Sequence, residues 1–376
     1  MSPIRWFLLA LAFLTAGCAN NEVILPLAVA DNRNAIVQPI HVATMRELSD
    51  DGYAVFSGDR SGGLNFAQVD VSIPKDRKRG TIVYPRKVPN LKEQFAAVGH
   101  TTNRNEAQFI EAINRSLAQK PPQDRTVFLF VHGYNTNFAS GVYRQAQMVH
   151  DFRFPGVPVN FSWSSAGRTT LYLYDRESAH LARNGLRDTI RTLSKTDAKS
   201  IVLLGHSMGG FVTMEALRDM SIRKETRLLN RLDAVILASP DIDTGVFYEQ
   251  LAELDPKPDP FILFVSQYDR ALQASTQLRG GGSRLGQGSD IERLRELGIT
   301  VVDLSNVADG EDATNHTTFA TSETVMRMVQ SGALIQNPQA AQADNNPLAP
   351  VGEGIGKLSD LASAIVYLPA KVAGVR

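Results

Sequence analysis

The sequence predicts an α/β fold: a doubly wound, mostly parallel sheet with helices on both faces and an antiparallel N-terminal edge. Three observations carry this. First, short and almost unbroken apolar runs recur at residues 126–131, 157–161, 201–204, 234–238 and 261–265. Strands that are apolar on both faces belong to a parallel sheet covered by helices on each side. Second, stretches with helical spacing of apolar residues separate these runs. Third, residues 68–73 alternate, with Val69, Val71 and Ile73 apolar, as a half-buried antiparallel strand does. Residues 81–84 are the expected partner of that strand. Phe109, Ile110, Ile113 and Leu117 predict a helix over residues 105–117. A last strand is expected at 300–304, followed by a helix at 322–329.

Composition sets outer bounds. The chain has 376 residues, 43% of them hydrophobic and 21% charged, with 39 Lys+Arg against 39 Asp+Glu. This is ordinary globular composition, and zero net charge argues against nucleic acid as the main partner. The single cysteine, Cys18, leaves no internal disulfide and no cysteine zinc site. No pair of histidines or carboxylates has zinc or calcium-loop spacing, so neither a metal nor a cofactor is expected.

The N-terminus reads as a targeting segment. Residues 6–16 form an apolar run after Arg5. The run is too short for a membrane span, which needs about 20 helical residues, and fits a secretory signal. It ends in Leu14-Thr15-Ala16-Gly17-Cys18, which resembles the lipobox of bacterial lipoproteins, in which the cysteine is lipidated and becomes the new N-terminus. This predicts export to a bacterial cell envelope and anchoring through Cys18, at the outer membrane in a Gram-negative host. The alternative is a plain signal peptide cut after Ala19. The expected organisation is a signal peptide over 1–18, a tether and irregular segment over 19–65, the main domain over 66–331, and a linker with a short amphipathic helix over 332–376. That helix rests on Leu358, Leu361, Ile365 and Leu368.

The chemistry centres on Gly205-His206-Ser207-Met208-Gly209, set between a predicted strand and a predicted helix. This is a nucleophile elbow in its proper context. The sharp turn strains the serine backbone, and Gly205 and Gly209 remove side chains that would clash. The helix N-terminus stabilises a developing anion. The architecture places nucleophile, acid and histidine in that order, and His316 is the only histidine after Ser207. Asp269 follows the penultimate strand and is the favoured acid, with Asp241 and Asp243 as alternatives. The oxyanion hole is assigned to the N–H groups of Met208 and Tyr134, the latter in Val131-His132-Gly133-Tyr134-Asn135. His132 and His206 are expected to brace their loops. Residues 280–286 are glycine-rich and read as a mobile loop, a candidate gate rather than a phosphate cradle.

These motifs, together with Phe161-Ser-Trp163, Ser239-Pro-Asp241-Ile-Asp243 and Asn315-His316, resemble the α/β-hydrolase superfamily and, within it, a bacterial family of lipase- and esterase-like proteins without an assigned substrate. The resemblance implies the α/β-hydrolase fold and hydrolysis of a small-molecule or lipid ester through an acyl-enzyme. It leaves the ester and the oligomeric state open. The competing readings are an envelope lipoprotein that uses the fold as a non-catalytic binding scaffold, and an acyltransferase, a thioesterase or a peptidase working through the same residues.

Overall fold

The computed structural model describes residues 35–50, 54–85, 89–332 and 364–369. Ten strands form one sheet: β1 (Ala35–Leu48), β2 (Phe56–Pro74), β3 (Ala96–Asn103), β4 (Thr126–Val131), β5 (Val157–Ser162), β6 (Ser200–His206), β7 (Leu232–Ala238), β8 (Phe261–Val265), β9 (Thr300–Asp303) and β10 (Ile365–Tyr367), in the order β10-β9-β8-β7-β6-β4-β5-β1-β2-β3. Strands β4 to β9 are parallel to their neighbours, and β1 joins them parallel to β5. β1, β2 and β3 make the antiparallel edge, and β10 closes the other edge antiparallel to β9.

The helices are α1 (Glu106–Ala118), α2 (Phe138–Asp151), α3 (Tyr172–Leu193), α4 (Met208–Ile222), α5 (Thr226–Leu229), α6 (Thr244–Ala252), α7 (Arg270–Leu278), α8 (Ile291–Glu296), α9 (Thr318–Thr321) and α10 (Glu323–Gln330). The central strands feed two cores by simple alternation. Along β4, Val127, Leu129 and Val131 point to the core under α1, α3 and α4. Phe128 and Phe130 point to the opposite core under α2, α9 and α10. β6, β7 and β8 split the same way, which is why their sequences read as unbroken apolar runs. No helix among the described residues is long and apolar enough to cross a membrane.

The structure departs from the sequence reading at both ends. The segment read as irregular up to residue 65 contains all of β1 and the first half of β2. β1 hides its pattern because it buries polar side chains inside the fold. His41, Thr44 and Arg46 are all buried, and each has an internal partner. His41 Nε2 meets Ser116 Oγ at 2.9 Å, and Thr44 Oγ1 donates to the Ser162 carbonyl at 2.7 Å. Arg46 donates from Nε to Ser162 Oγ at 2.8 Å, and from its terminal nitrogens to the carbonyls of Ser57, Thr136 and Ser165. Residues 81–84 are not a strand. Ile82 and Tyr84 pack on the small core under β1 and β2, and the partner of β2 on that side is β3. Ile365, read as part of a helix, lies in β10, where it covers the edge of β9. Leu358, Leu361 and Cys18 lie outside the described residues.

Two of the buried polar groups make stability depend on pH. Burial, helped by the charge of Arg115, lowers His41 to about 4. Burial beside Arg46 lowers His132 to about 3. Both stay neutral in the folded chain while the unfolded chain protonates them near pH 6.5. The unfolded state therefore binds more protons between about pH 6.5 and 4, and stability falls as pH falls through that window. Each histidine contributes up to about 1.4 kcal/mol per pH unit. Urea unfolding of His41→Gln at pH 7, 6 and 5 is expected to show a flatter pH dependence than the parent chain. An unchanged slope contradicts the assignment.

Candidate active site

The C-terminal ends of β6, β7 and β8 carry the candidate site. β6 ends at His206, and Ser207 follows with φ 54° and ψ −123°, directly before α4. A non-glycine residue there is strained and persists only where its surroundings hold it. Three main-chain bonds do so. Ser207 donates its N–H to the Ala238 carbonyl of β7 at 2.9 Å, and its own carbonyl accepts from Gly210 at 2.9 Å and from Asp241 at 3.2 Å. The glycines make the close packing possible. A Cβ on Gly205 would lie 2.5 Å from Thr213 Oγ1, and one on Gly209 would fall on the carbonyl oxygens of Val131 and His132. Gly133 approaches from β4, where a Cβ would lie 2.8 Å from the Ser207 Cβ. Met208 is the first residue of α4, so its N–H has no partner within the helix.

Asp269 and His316 meet as the sequence order predicts. Asp269 caps α7, accepting the Leu272 N–H on Oδ1 at 2.9 Å, and its Oδ2 lies 2.7 Å from His316 Nδ1. It is fully buried. A carboxylate accepts from an Nδ1–H, and that tautomer leaves the imidazole lone pair on Nε2. The alternatives for the acid are otherwise engaged. Asp243 caps α6 through the N–H groups of Gly245 and Val246. Asp241 accepts from Ser275 Oγ at 2.8 Å and sits 3.4 Å from Arg284 Nε.

A supporting layer escaped sequence reading. Asp312 accepts the N–H groups of Thr314, His316 and Thr317 at 2.8–2.9 Å and fixes the His316 loop. Its burial alone would raise its pKa, but these bonds and the Thr314 hydroxyl outweigh it and hold the carboxyl below its ordinary range. The Asp312-x-Thr314 spacing of an Asx turn was the available signal. Asp175, on α3, accepts from the N–H groups of Asn135 and Ala166 and from Ser165 Oγ, tying the Tyr134 loop to the turn after β5. Burial raises its pKa in spite of those bonds.

The other two histidines brace the site. His132 stacks on Trp163 with ring centroids 5.1 Å apart, and its Nδ1 meets the Gly133 carbonyl at 2.9 Å. His206 Nε2 lies 3.3 Å from the His316 carbonyl, and its ring packs on Phe319. Burial, and then the neighbouring His316, pushes the His206 pKa well down, so it stays neutral. The Tyr134 hydroxyl donates to the Thr169 carbonyl, and its ring packs edge-on to Tyr172 at 5.2 Å. Residues 283–286, expected in a mobile loop, are pinned to the segment after β7. Thr244 donates to Ser283, Leu285 to Ile242 and Gly286 to Pro240, at 2.9–3.1 Å. Among the described residues no group of three or more histidine, cysteine or acidic side chains could hold a metal.

The match to a protein-family model agrees with this architecture. A model of the family described as "Alpha/beta hydrolase of unknown function (DUF900)" matches residues 105–335. A search of curated protein sequences finds no match. Similar solved structures include a putative cell surface hydrolase of Lactobacillus plantarum WCFS1, at 9% identity and TM-score 0.34, covering 55% of this chain and 88% of the other. One of two fungal esterases from Rhizomucor miehei is 13% identical at TM-score 0.35, over 83% of each chain. A mutant of the esterase rPPE is 14% identical at TM-score 0.36, over 81% of this chain and 83% of its own. With the family model spanning strands β4 to β9, the elbow and the His316 loop, the chain belongs to the DUF900 family of α/β-hydrolases.

Proposed function

We propose that the protein is a serine hydrolase of carboxylic esters that works through an acyl-enzyme. The observation that carries the reading is the contact of buried Asp269 with part-buried His316 at 2.7 Å, on the same rim of the sheet as a serine held at positive φ. In this reading Ser207 Oγ attacks the ester carbonyl while His316 Nε2 takes its proton. The oxygen of the tetrahedral intermediate is held by the N–H groups of Met208 and Tyr134. Each such donor typically supplies about 3 kcal/mol of transition-state stabilisation. The intermediate collapses as His316 returns the proton to the leaving alcohol. Water then repeats the sequence on the acyl-enzyme and frees Ser207. Asp269 keeps the imidazole in the needed tautomer and stabilises the imidazolium. A binding scaffold has no use for backbone strain at a serine, which favours catalysis over that alternative.

The test is covalent labelling with a neutral fluorophosphonate, read by mass spectrometry. One adduct is expected on Ser207, absent in Ser207→Ala and slowed at least a hundredfold in His316→Ala. Equal labelling of His316→Ala, or an adduct elsewhere, contradicts the triad.

From residues 14–18 alone we further propose that Cys18 carries a lipid anchor at the cell envelope. The parent chain expressed in a Gram-negative host is expected in the membrane fraction, with Cys18→Ser shifted to the soluble fraction. Persistent membrane association of Cys18→Ser rejects the anchor.

A further inference from the structure

Beside the candidate site two arginines flank one carboxylate, and a third arginine lies near them. Asp241 follows β7, and its N–H donates to the Ser207 carbonyl at 3.2 Å. Arg284 Nε lies 3.4 Å from Asp241 Oδ1, and Arg279 Nη2 lies 3.7 Å from Oδ2. Arg279 also donates from Nε to the Tyr172 hydroxyl at 2.6 Å, and that hydroxyl donates to Asp241 Oδ2 at 3.3 Å. Arg176, one turn along α3 from Tyr172, lies over the Phe211 ring at 4.6 Å. Phe211 is one turn into α4 from Ser207.

The charges do not balance. Asp241 is the one carboxylate within ion-pair distance of this cluster among the described residues, and it already accepts from Ser275 and Tyr172. Nearby acids are committed elsewhere: Glu177 pairs with Arg60, Glu215 with Arg183, and Asp243 caps α6. Arg284 is 2% exposed, and its Nε makes no hydrogen bond among the described residues. Its ion pair with Asp241 is misaligned for one. A buried guanidinium N–H without an acceptor is costly unless one completes it. Arg176 has no ion pair among the described residues. Burial, and then the charge of Arg279, lowers its pKa, and the attraction of Asp241 does not offset them.

The cluster also borders the turn after β4 that carries Tyr134. Tyr172, which it holds, packs edge-on against Tyr134, and the glycines at 280–282, all at positive φ, turn the chain between Arg279 and Arg284. A planar guanidinium fork suits a carboxylate or a phosphate equally well.

We infer that the ester hydrolysed at Ser207 carries an anionic group, a carboxylate or a phosphate, that seats against Arg176, Arg279 and Arg284. The inference rests on the serine-hydrolase reading and names its substrate class. Binding energy from that remote anion would orient the ester carbonyl at Ser207.

The experiment compares second-order labelling rates of the full chain with two fluorophosphonates of equal chain length, one ending in a methyl group and one in a carboxylate. The carboxylate probe is expected to label Ser207 at least tenfold faster. Arg284→Met and Arg176→Met are each expected to cut that ratio severalfold, and a phosphonate-tipped third probe tells which anion is preferred. Arg176 is only half-buried, so its variant serves if Arg284→Met does not fold. Equal rates for the first two probes, with Ser207 labelled by both, overturn the anion site and leave the hydrolase reading standing. A preference unchanged in the folded arginine variants overturns the assignment to this cluster. No labelling of Ser207 by any probe rejects the hydrolase reading and this inference with it.

Discussion

The approach of the α4 N-terminus to the ends of β4 and β7 is the constraint on which the rest of the site depends. Gly209 brings the helix onto the carbonyls of Val131 and His132, and Gly133 brings the turn after β4 against the Ser207 side chain. A side chain at either glycine would hold these segments apart. The same contact leaves Ser207 no relaxed conformation, because its N–H and carbonyl are bonded to residues on and beyond β7. The strain is therefore a consequence of the packing rather than an addition to it. Stability comes from the two apolar cores on either face of the sheet, and the rim of the sheet is where that stability is drawn on.

Buried polar groups then hold the loops that the strand ends release. Asp312 gathers three main-chain N–H groups and presents His316 to Asp269, while Asp175 does the same for the turn at Asn135. Arg46 reaches from β1 to carbonyls on the two loops after β4 and β5. The antiparallel edge is thus part of the site's framework. A carboxylate or guanidinium buried with its partners satisfied fixes a loop more sharply than apolar contact can. The arginines near Asp241 break that pattern of local balance, and they do so next to Ser207.

How much could be read in advance follows from the same physics. The parallel core was legible because strands buried on both faces leave continuous apolar runs, and the meeting of Asp269 with His316 was legible because chain order and a lone downstream histidine restrict the choice. The structure brings Asp269 and His316 together and leaves Asp241 and Asp243 with other partners. β1 was not legible. Its buried His41, Thr44 and Arg46 break the alternation that marks a strand, and their partners Ser116, Ser162 and Thr136 are distant in sequence. Ile365 was misread because helical spacing with its neighbours carries no information about the free edge of β9, on which residues 365–367 pair. Asp312 offered only the weak signal of an Asx turn, and Asp175 acts largely on main-chain N–H groups that carry no residue signature. The arginine cluster is assembled from α3, α7 and the segment after it, so it has no local motif.

The central claim is that the Asp269 carboxylate makes His316 a base for Ser207, and Asp269→Asn tests it most directly. Asparagine still accepts the Leu272 N–H, so the cap on α7 survives, while its amide faces His316 and reverses the tautomer. With 4-nitrophenyl butyrate as substrate, kcat is predicted to fall on the order of ten-thousandfold in a chain that remains folded. A folded Asp269→Asn protein that keeps kcat within tenfold of the parent would contradict the account.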